Sequence, residues 1–473
     1  MLSYGADASG RNWSTTQIQK AIDACYAAGG GTVLFPPGRY RTATITIKDN
    51  VAVQFEKETF IDGPKLYAQY APYNSLIRAS GSTNVSLRGP VIINGQGTNY
   101  WTVVPNPVSL YTVTQTRPVP IVQFLNCSNV VVEGITILWA PSWSLSPYSS
   151  TNVTIRNVTI LNDFFAPNTD GIDICQSKNV LVTGCRISTA DDPISIKNME
   201  PTAAANLSQN ITITNCDLTS PYYSFRIGSE SRVGIVENIL YTDCRTRANG
   251  IPLGQHSGIA LECMDGGTLR NVHVQRITSE NARSPIFIRL GNRGTGQAVS
   301  PPIPGVIQDV LIEDVTSTVV TTQREFGIQI HGIPTAFVTN VTLRNITMIP
   351  RGDVRFSHLG VTNVAQLVVP ENEASYPSVD SFGWLPGYGI YCRHTRGLTL
   401  QNINILPLNS DVRPTLAFND VSGIVIQNLV TSFPGIDLRT GPSLSFVTNS
   451  PPVTINAVVN PAVPPGGWIL STP

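Results

Sequence analysis

Two short acidic motifs carry the side chains best suited to chemistry. They read Asn168-Thr-Asp-Gly-Ile-Asp-Ile174 and Ala190-Asp-Asp-Pro-Ile-Ser-Ile196. When Ile172 and Ile174 are aligned with Ile194 and Ile196, Asp170 takes the same position as Asp192. Asp191 then lies beside them. Three carboxyl groups in one patch repel one another, which should raise at least one pKa and keep one acid protonated while another stays ionised. A glycosidase needs that state, because one carboxyl group protonates the leaving oxygen and another activates water.

Each motif taken alone is also an ordinary turn sequence. Asp-Gly and Asp-Asp-Pro are common in solvated turns. For any one of these aspartates considered alone, a role in a turn is the favoured interpretation. Stacking three acids on neighbouring elements without an evident cation is costly, so the combination favours function. Asp173 belongs to the first motif but alternates away from Asp170, so we expect a structural or substrate-side role for it.

A sequence repeat indicates the strands that must position these acids. Each copy of the repeat consists of Asn, alternating aliphatic residues, a polar residue or Gly, and further aliphatic residues. Copies begin at Asn129, Asn152, Asn179, Asn210, Asn238, Asn271, Asp309 and Asn340. The alternation predicts short strands with one buried face, and the intervals leave too little chain for helices between them. Each repeat is therefore expected to form one coil of a solenoid, with coils about 4.8 Å apart and the asparagines in a side-chain ladder.

The solenoid is expected to form a single domain over residues 1–473. Residues 1–31 should cover its N-terminal end, with helical spacing of apolar residues from Thr15 to Ala28. Residues 434–473, rich in Pro, are a candidate C-terminal cover or tail. Longer insertions predicted to wall one side of the solenoid lie at Tyr100–Pro120, Arg293–Gly305 and Arg351–Gly387.

Composition excludes several partner classes. Charged residues are 13% of the chain and the formal net charge is +0, so no electrostatic footprint for nucleic acid or an anionic membrane is present. No apolar run reaches the roughly 18 residues of a membrane span. The first residues lack the pattern of a signal peptide. We nevertheless expect a secreted or periplasmic monomer without nucleic-acid or membrane partners.

The cysteines do not resemble a metal or redox motif. The chain has eight, and none forms a C-x-x-C pair. Cys185, Cys216 and Cys244 recur at matching places in the repeat. This pattern favours buried, unpaired thiols packed in a stack, with one or more disulfides as the alternative.

The two acidic motifs, set in this repeat, resemble those of the polygalacturonase family of pectinases, glycoside hydrolase family 28. The N-terminal region is similar to that superfamily as well, in YGA at Tyr4, IQKAIDAC from Ile18 and GGGTVLFPPGRY from Gly29. The resemblance covers most of the chain. It implies an all-β fold, namely a right-handed parallel β-helix of the pectin-lyase-like type with an N-terminal capping helix.

The resemblance also implies an activity and its residues. The expected reaction is hydrolysis of a glycosidic bond in a pectic polysaccharide, with inversion and without a cofactor or metal. By the family pattern Asp191 is the general acid, while Asp170 and Asp192 hold and deprotonate the attacking water. An inverting geometry implies an acid and a base roughly 6.5–9.5 Å apart.

Two other family motifs are altered in this chain. Tyr223 stands where the family has an active-site histidine, and Ala260-Leu-Glu262 stands where it has Arg-Ile-Lys. Loss of these cations favours a rhamnogalacturonan or another pectic linkage over plain polygalacturonan. Residues that stack at the same place on successive coils form a column. Arg226 lies in the column of Ala260, one coil earlier, and could restore a cationic site for the carboxylate of a uronate. Glu262 shares a column with Lys197 and Arg289, and we favour a cross-coil ion pair over a sugar-hydroxyl acceptor for it.

The remaining candidates follow from these motifs. Substrate contacts are expected from Asn168, Tyr223, Arg226, His256, Glu262 and Arg289, and sugar-stacking rings from Trp101, Trp139, Trp143, Tyr222, Tyr223, Trp384 and Tyr388. Two rival functions stay open at this point. One is a polysaccharide lyase acting on a uronate polymer, with the three acids binding calcium, and the other is a non-catalytic carbohydrate-binding solenoid.

Overall fold

The computed structural model describes most of the chain in two compact units. The described residues are 1–104, 109–200, 202–248, 254–318, 325–362, 364–431, 445–448, 454–458 and 469–472. Unit 1 contains Met1–Lys197 and Leu207–Tyr222, and unit 2 contains Asn198–Asn206 and Tyr223–Pro473. The single domain expected from the sequence stays a prediction. Most of the expected C-terminal cover, 434–473, lies outside the described residues.

Unit 1 is built from short strands that pair in parallel with their counterparts one coil away, except that Trp101–Thr102 and Thr112–Val113 pair antiparallel with each other. They are Ser9–Trp13, Gly31–Phe35, Gly38–Arg41, Ile45–Ile47, Val51–Phe55, Thr59–Asp62, Ile77–Ser80, Thr83–Asn94, Trp101–Thr102, Thr112–Val113, Val122–Leu125, Ser128–Leu138, Leu145–Tyr148, Thr151–Arg156, Thr159–Leu161, Ile172–Cys175, Lys178–Thr183, Arg186–Ser188, Ile194–Asn198, Leu207–Thr214 and Asp217–Thr219. The pairing confirms the parallel β-helix, and the right-handed form is the one that parallel crossovers favour. The strand at Ser9–Trp13 was not expected from the sequence.

One stack of strands in unit 1 positions the acidic motifs, and we call it the site column. Its members, each paired in parallel with the next, are Ile45–Ile47, Ile77–Ser80, Val122–Leu125, Leu145–Tyr148, Ile172–Cys175 and Ile194–Asn198. Their alternate aliphatic side chains are fully buried. Burying each isoleucine contributes about 1.5–3 kcal/mol, so the register of this column is strongly held.

The expected capping helix is present at Thr15–Ala27, with Ile18, Ala21 and Ile22 buried. Its Gln19 side chain donates to the carbonyl of Thr46 at 3.0 Å and accepts from the amide of Thr46 at 2.8 Å. The helix therefore satisfies backbone groups at the edge of the first strand of the site column, where an open edge would invite pairing with another chain.

The predicted asparagine ladder is confirmed. In unit 1 the ladder runs through Asn50, Asn84, Asn129, Asn152, Asn179 and Asn210, and each side-chain amide after the first donates to the amide oxygen of the preceding member at 2.8–3.0 Å. All six residues have φ between 54° and 59°. Asparagine suits this bend because it tolerates the left-handed backbone conformation and its amide both donates and accepts.

Replacing Asn152 with Ala should lower the free energy of unfolding by about 1–3 kcal/mol, because two ladder hydrogen bonds are lost and Ala is placed at a positive φ. Asn152→Gly loses the same hydrogen bonds but adopts that φ without strain, so its loss should be clearly smaller. Urea unfolding of both variants measures the difference. Equal losses would remove the backbone contribution from this account.

Unit 2 repeats the same architecture with longer strands. They are Tyr223–Ser231, Ile235–Arg247, Gln255–Cys263, Thr268–Glu280, Ala282–Leu290, Val306–Thr318, Ile328–His331, Val338–Ile349, Ile390–Ile405, Leu416–Thr431, Ser445–Thr448, Thr454–Val458 and Ile469–Thr472. All pair in parallel within the unit.

The helices outside the cap are short, at Leu2–Tyr4, Tyr67–Tyr70, Gly97–Asn99, Phe356–Leu359, Val364–Gln366 and Val379–Phe382. Within the described part of the chain, no helix has the length and apolar character needed to cross a bilayer. All eight cysteines are free thiols, and all except Cys25 are buried. The interpretation as unpaired thiols is therefore confirmed.

Candidate active site

The register of the site column brings the acidic motifs onto adjacent coils as the isoleucines predict. Ile172 pairs with Ile194 and Ile174 with Ile196. Just before these strands, the amide of Gly171 donates to the carbonyl of Asp192 at 2.9 Å. The two turns that carry the acids are thus fixed to each other by backbone hydrogen bonds and by the buried isoleucines beneath them.

The three predicted catalytic carboxylates form one cluster. One oxygen from each of Asp170, Asp191 and Asp192 lies within 4.8 Å of the other two. Asp170 and Asp192 are buried, with 3% and 2% exposure, and Asp191 is half-buried. The sequence therefore identified three acids that the fold brings together, and the most accessible of them is the residue expected to act as the general acid.

The three acids lie close together. One oxygen of each lies within 4.8 Å of the other two, and the separation of roughly 6.5–9.5 Å expected between an inverting acid and base stays a prediction. The physical reason is that all three acids come from neighbouring residues or from adjacent coils, and coils stack about 4.8 Å apart. The water and the leaving oxygen must therefore be reached from one compact patch rather than from opposite walls.

Hydroxyl groups fix the turn that presents Asp191. Its carbonyl accepts from Thr189 Oγ1 at 2.7 Å and from Ser220 Oγ at 2.9 Å. Its carboxyl Oδ1 accepts from the amide of Asp192 at 3.1 Å. The carbonyl of Asp191 is consequently held by two hydroxyl groups, and one oxygen of its carboxyl group is held by the next backbone amide.

A buried cation, whose role the sequence did not reveal, joins the cluster. Lys197 Nζ donates to Asp170 Oδ2 at 3.0 Å and pairs with Asp173 Oδ1 at 2.8 Å. Asp173 Oδ1 also accepts from Ser195 Oγ at 2.6 Å. The ammonium lies 4.0 Å from the centre of the Trp143 ring, whose stacking on a sugar stays a prediction.

The expectation that Asp173 alternates away from Asp170 was wrong, since one ammonium binds both. Strand alternation places Asp173, Ser195 and Lys197 together on the face opposite the isoleucines. Asp170 lies in the turn before the strand, where that alternation does not apply. Burial raises the pKa of Asp173 well above its ordinary range, and the charge of Asp170 adds to the shift, while Lys197 and Ser195 oppose it.

A second cation near the cluster was missed because it lies in the non-repeating insertion Tyr100–Pro120. Arg117 Nη2 donates to Asn168 Oδ1 at 2.8 Å, and Nη1 donates to the carbonyls of Pro141, at 3.2 Å, and Pro167. Burial lowers the pKa of Arg117, and the charges of Asp170 and Asp191 oppose that shift. Asn168, predicted to contact substrate, is exposed and is oriented by this guanidinium.

The three oxygens are close enough together to suit a divalent cation. However, Lys197 already binds one oxygen of Asp170, and Arg117 adds a second positive charge nearby. Both charges oppose a further cation, so we assign no metal ligands in this cluster. The arrangement instead suits chemistry in which protons move between carboxyl groups, water and a leaving oxygen.

Within unit 2, the expected cross-coil ion pair of Glu262 is confirmed, but its partner is Arg226, which the sequence had not placed in the column of Glu262. Arg226 Nε donates to Glu262 Oε2 at 2.8 Å, and Nη1 donates to the hydroxyl of Tyr376 at 2.9 Å. Both charged side chains are almost fully buried. The guanidinium also lies over the Tyr223 ring, with 4.3 Å between its carbon and the ring centroid. Substrate contact by Arg226 and Glu262 stays a prediction.

Tyr223 and His256 lie together in unit 2. Their ring centroids are 5.6 Å apart in an edge-on arrangement, and the Tyr223 hydroxyl donates to the carbonyl of Pro377 at 3.4 Å. Burial lowers the pKa of His256 to about 4, although Asp380, at 3.7 Å from Nε2, favours the charged form. His256 is therefore neutral above that pH. Both substrate-contact assignments stay predictions.

Arg289 has contacts typical of a structural side chain. It is 1% exposed, and its guanidinium donates to the carbonyls of Glu371 at 2.8 Å and Asn372 at 2.9 Å. Burial lowers the pKa of Arg289 to about 9, and the charge of Arg393 adds to the shift. Arg289 and Arg393 both donate to carbonyls of the insertion Arg351–Gly387. Substrate contact by Arg289 stays a prediction.

Comparison with known proteins gives a consistent set of relatives. The family model described as "Glycosyl hydrolases family 28" matches residues 32–367. A probable polygalacturonase of Vitis vinifera is 23% identical over 74% of this chain and 73% of its own length. Exopolygalacturonase A of Aspergillus niger is 28% identical over 68% of this chain and 77% of its own length.

Solved structures share the fold. An exopolygalacturonase from Thermotoga maritima superimposes with a TM-score of 0.63 at 20% identity, covering 85% of this chain and 90% of that one. A polygalacturonase from Erwinia carotovora gives a TM-score of 0.57 at 21% identity, covering 72% of this chain and 92% of that one. At these identities the likeness concerns the architecture alone.

Proposed function

Because this chain belongs to glycosyl hydrolase family 28 and is a glycosidase, we propose that it hydrolyses glycosidic bonds in a pectic polysaccharide by acid–base catalysis at Asp170, Asp191 and Asp192. The observation that carries the proposal is the cluster itself, in which oxygens of all three acids lie within 4.8 Å of one another. Arg117 and Lys197 supply the positive charge that a group of buried carboxyl groups requires.

In the proposed reaction, Asp191 donates its proton to the glycosidic oxygen while the bond from that oxygen to the anomeric carbon breaks. A water held by Asp170 and Asp192 attacks the anomeric carbon, and one of these two carboxylates takes the proton that the water loses. The half-buried position of Asp191 suits contact with the leaving group. Lys197 donates to Asp170 Oδ2 at 3.0 Å and so orients the carboxyl group proposed to hold the water.

A pectic substrate is proposed from the relatives, whose printed names describe polygalacturonases and exopolygalacturonases. In place of the family's histidine and Arg-Ile-Lys this chain has Tyr223 and Ala260-Leu-Glu262. Its contacts with the carboxylate of a uronate must therefore differ from those of the family. The substrate that we infer first is a rhamnogalacturonan or another pectic side-chain linkage. Incubation with a panel of pectic polymers, with product chain length recorded, tests both the linkage and action from chain ends.

We expect the first product to have the inverted anomeric configuration. The resemblance to the family supports inversion, in which water attacks the anomeric carbon in a single step. Proton NMR recorded within minutes of mixing, before the sugar mutarotates, distinguishes inversion from retention. A product that retains the configuration of the substrate would contradict single-step attack by water.

A uronate lyase is the second candidate, because the closeness of the three oxygens suits calcium even though the charges of Lys197 and Arg117 oppose it. A lyase produces unsaturated sugars that absorb in the ultraviolet, whereas hydrolysis produces none. We expect reducing ends to accumulate without such absorbance and without a requirement for added calcium. Affinity for pectic polymers without turnover would instead indicate a carbohydrate-binding solenoid.

We propose further that the protein is a monomer and that it is secreted or periplasmic. The location follows from the proposed substrate, because a pectic polysaccharide lies outside the cytoplasm. Sedimentation of the purified chain tests the monomer, and fractionation of the source cells tests the location. We also propose a single cooperative domain over 1–473, which predicts one unfolding transition by calorimetry.

A further inference from the structure

The Lys197 ammonium in unit 1 is buried and lies between two carboxyl groups. It is 4% exposed and lies 3.0 Å from Asp170 Oδ2 and 2.8 Å from Asp173 Oδ1. The Trp143 ring covers it at 4.0 Å. A lysine buried to this extent is costly unless its charge is compensated, and here two carboxyl groups compete for it.

The two carboxyl groups have different surroundings. Asp173 is fully buried, its pKa is raised well above its ordinary range by burial, and it accepts hydrogen bonds from Ser195 and Lys197 through the same oxygen. Asp170 lies in the cluster with Asp191 and Asp192 and also feels the charge of Arg117. The Lys197 ammonium therefore joins a fully buried carboxyl group to a carboxyl group of the cluster.

We propose that Lys197 is a positioning residue of the proposed hydrolysis, whose ammonium orients Asp170 and keeps it ionised so that Asp170 can hold the attacking water. The proposal rests on the proposed function. Lys197 itself does not touch the reacting atoms, because Asp170 and the Trp143 ring cover its charged end. Its contribution is to set the lower pH limit of activity.

Lys197→Met removes the charge and retains much of the volume of the side chain. We expect the acidic limb of the kcat/KM profile to move upward by about one pH unit or more, because an opposite charge in contact with a carboxylate typically shifts its titration by that amount. Activity should recover partly at higher pH. Lys197→Gln, which retains a donor but lacks the charge, should show the same shift and serves if the Met variant does not fold.

Two control variants separate this role from a purely structural one. Asp173→Asn removes the other carboxyl group that contacts Lys197 and should leave the acidic limb in place, because Lys197 keeps its contact with Asp170. Lys178→Met removes a half-buried lysine at the start of the strand Lys178–Thr183 and should also leave it in place. If Lys197 merely supports packing, its substitution would lower kcat at all pH values without moving the limb, and that result would overturn the proposal. A limb moved by Asp173→Asn would overturn the assignment to Asp170.

A measurement without turnover keeps this proposal separate from the proposed function. In protein labelled with ¹³C at the aspartate carboxyl carbons, the signal of Asp170 is assigned by its loss in Asp170→Asn. Its titration midpoint should rise in Lys197→Met. A rise in a protein that cleaves no pectic polymer would support the role of Lys197 and reject the hydrolysis. An unchanged midpoint in an active enzyme would do the reverse.

Discussion

Asp191→Asn is expected to lower kcat by on the order of 10²–10⁴-fold, because the amide cannot donate the proton that the leaving oxygen needs. The fold should be unaffected. The carbonyl of Asp191 would keep its hydrogen bonds from Thr189 and Ser220, and the amide oxygen of the new side chain can accept from the backbone of Asp192 as the carboxyl group does. Initial rates on the preferred pectic polymer, at saturating concentration, measure the effect.

Asp217→Asn provides a matched control. Asp217 lies on the strand Asp217–Thr219, in a different stack of unit 1, where it pairs in register with Arg186. Its substitution removes a carboxyl group without touching the cluster, so activity should stay close to that of the unmodified protein. Full activity in Asp191→Asn would exclude Asp191 from the reaction, and equal losses in both variants would point to a general effect of charge.

The site column shows why much of this fold could be predicted. A parallel solenoid repeats the same environment on every coil, so alternating aliphatic residues define both the strands and their register. Aligning Ile172 with Ile194 was sufficient to place Asp170 beside Asp192, and the structure has that register. The asparagine ladder could be predicted for the same reason, since one bend recurs with one set of backbone requirements.

The cations of the site could not be predicted in the same way. Arg117 belongs to an insertion without repeat register, so nothing in the sequence relates it to Asn168. Lys197 does lie in register, but the reach of its long side chain decides which acids it binds. Asp173 was misplaced because strand alternation was extended into the turn that carries Asp170. In each case the missing information concerned side-chain reach or an irregular segment.

The altered family motif in unit 2 illustrates a different limit. The sequence predicted a cross-coil ion pair for Glu262 and placed it in a column with Lys197 and Arg289, whereas Arg226 was placed in the column of Ala260. In the structure Glu262 pairs with Arg226, while Arg289 donates to carbonyls of the insertion Arg351–Gly387. Which of two arginines neutralises a buried acid depends on the other acceptors that each can reach, and those acceptors come from a segment outside the repeat.

A second large effect is expected at a buried ion pair in unit 2. Arg413 donates from Nε and Nη2 to the two oxygens of Asp411, each at 2.9 Å, and its backbone amide donates to Asp411 Oδ1 at 2.9 Å. The two side chains are 1% and 0% exposed. Arg413→Met should lower the free energy of unfolding by about 3–5 kcal/mol, because the Asp411 carboxylate stays buried after losing its partner.

The double variant Arg413→Met with Asp411→Asn should recover most of that loss. The Asn oxygen can still accept from the backbone amide of residue 413, and the charge of the Asp411 carboxylate no longer has to be compensated. Denaturant unfolding of both variants, at a pH where the carboxylate is ionised, measures the recovery. If the double variant is as unstable as Arg413→Met, the packing of Arg413 against Trp384, at 5.6 Å from the ring centroid, rather than its charge would account for the loss.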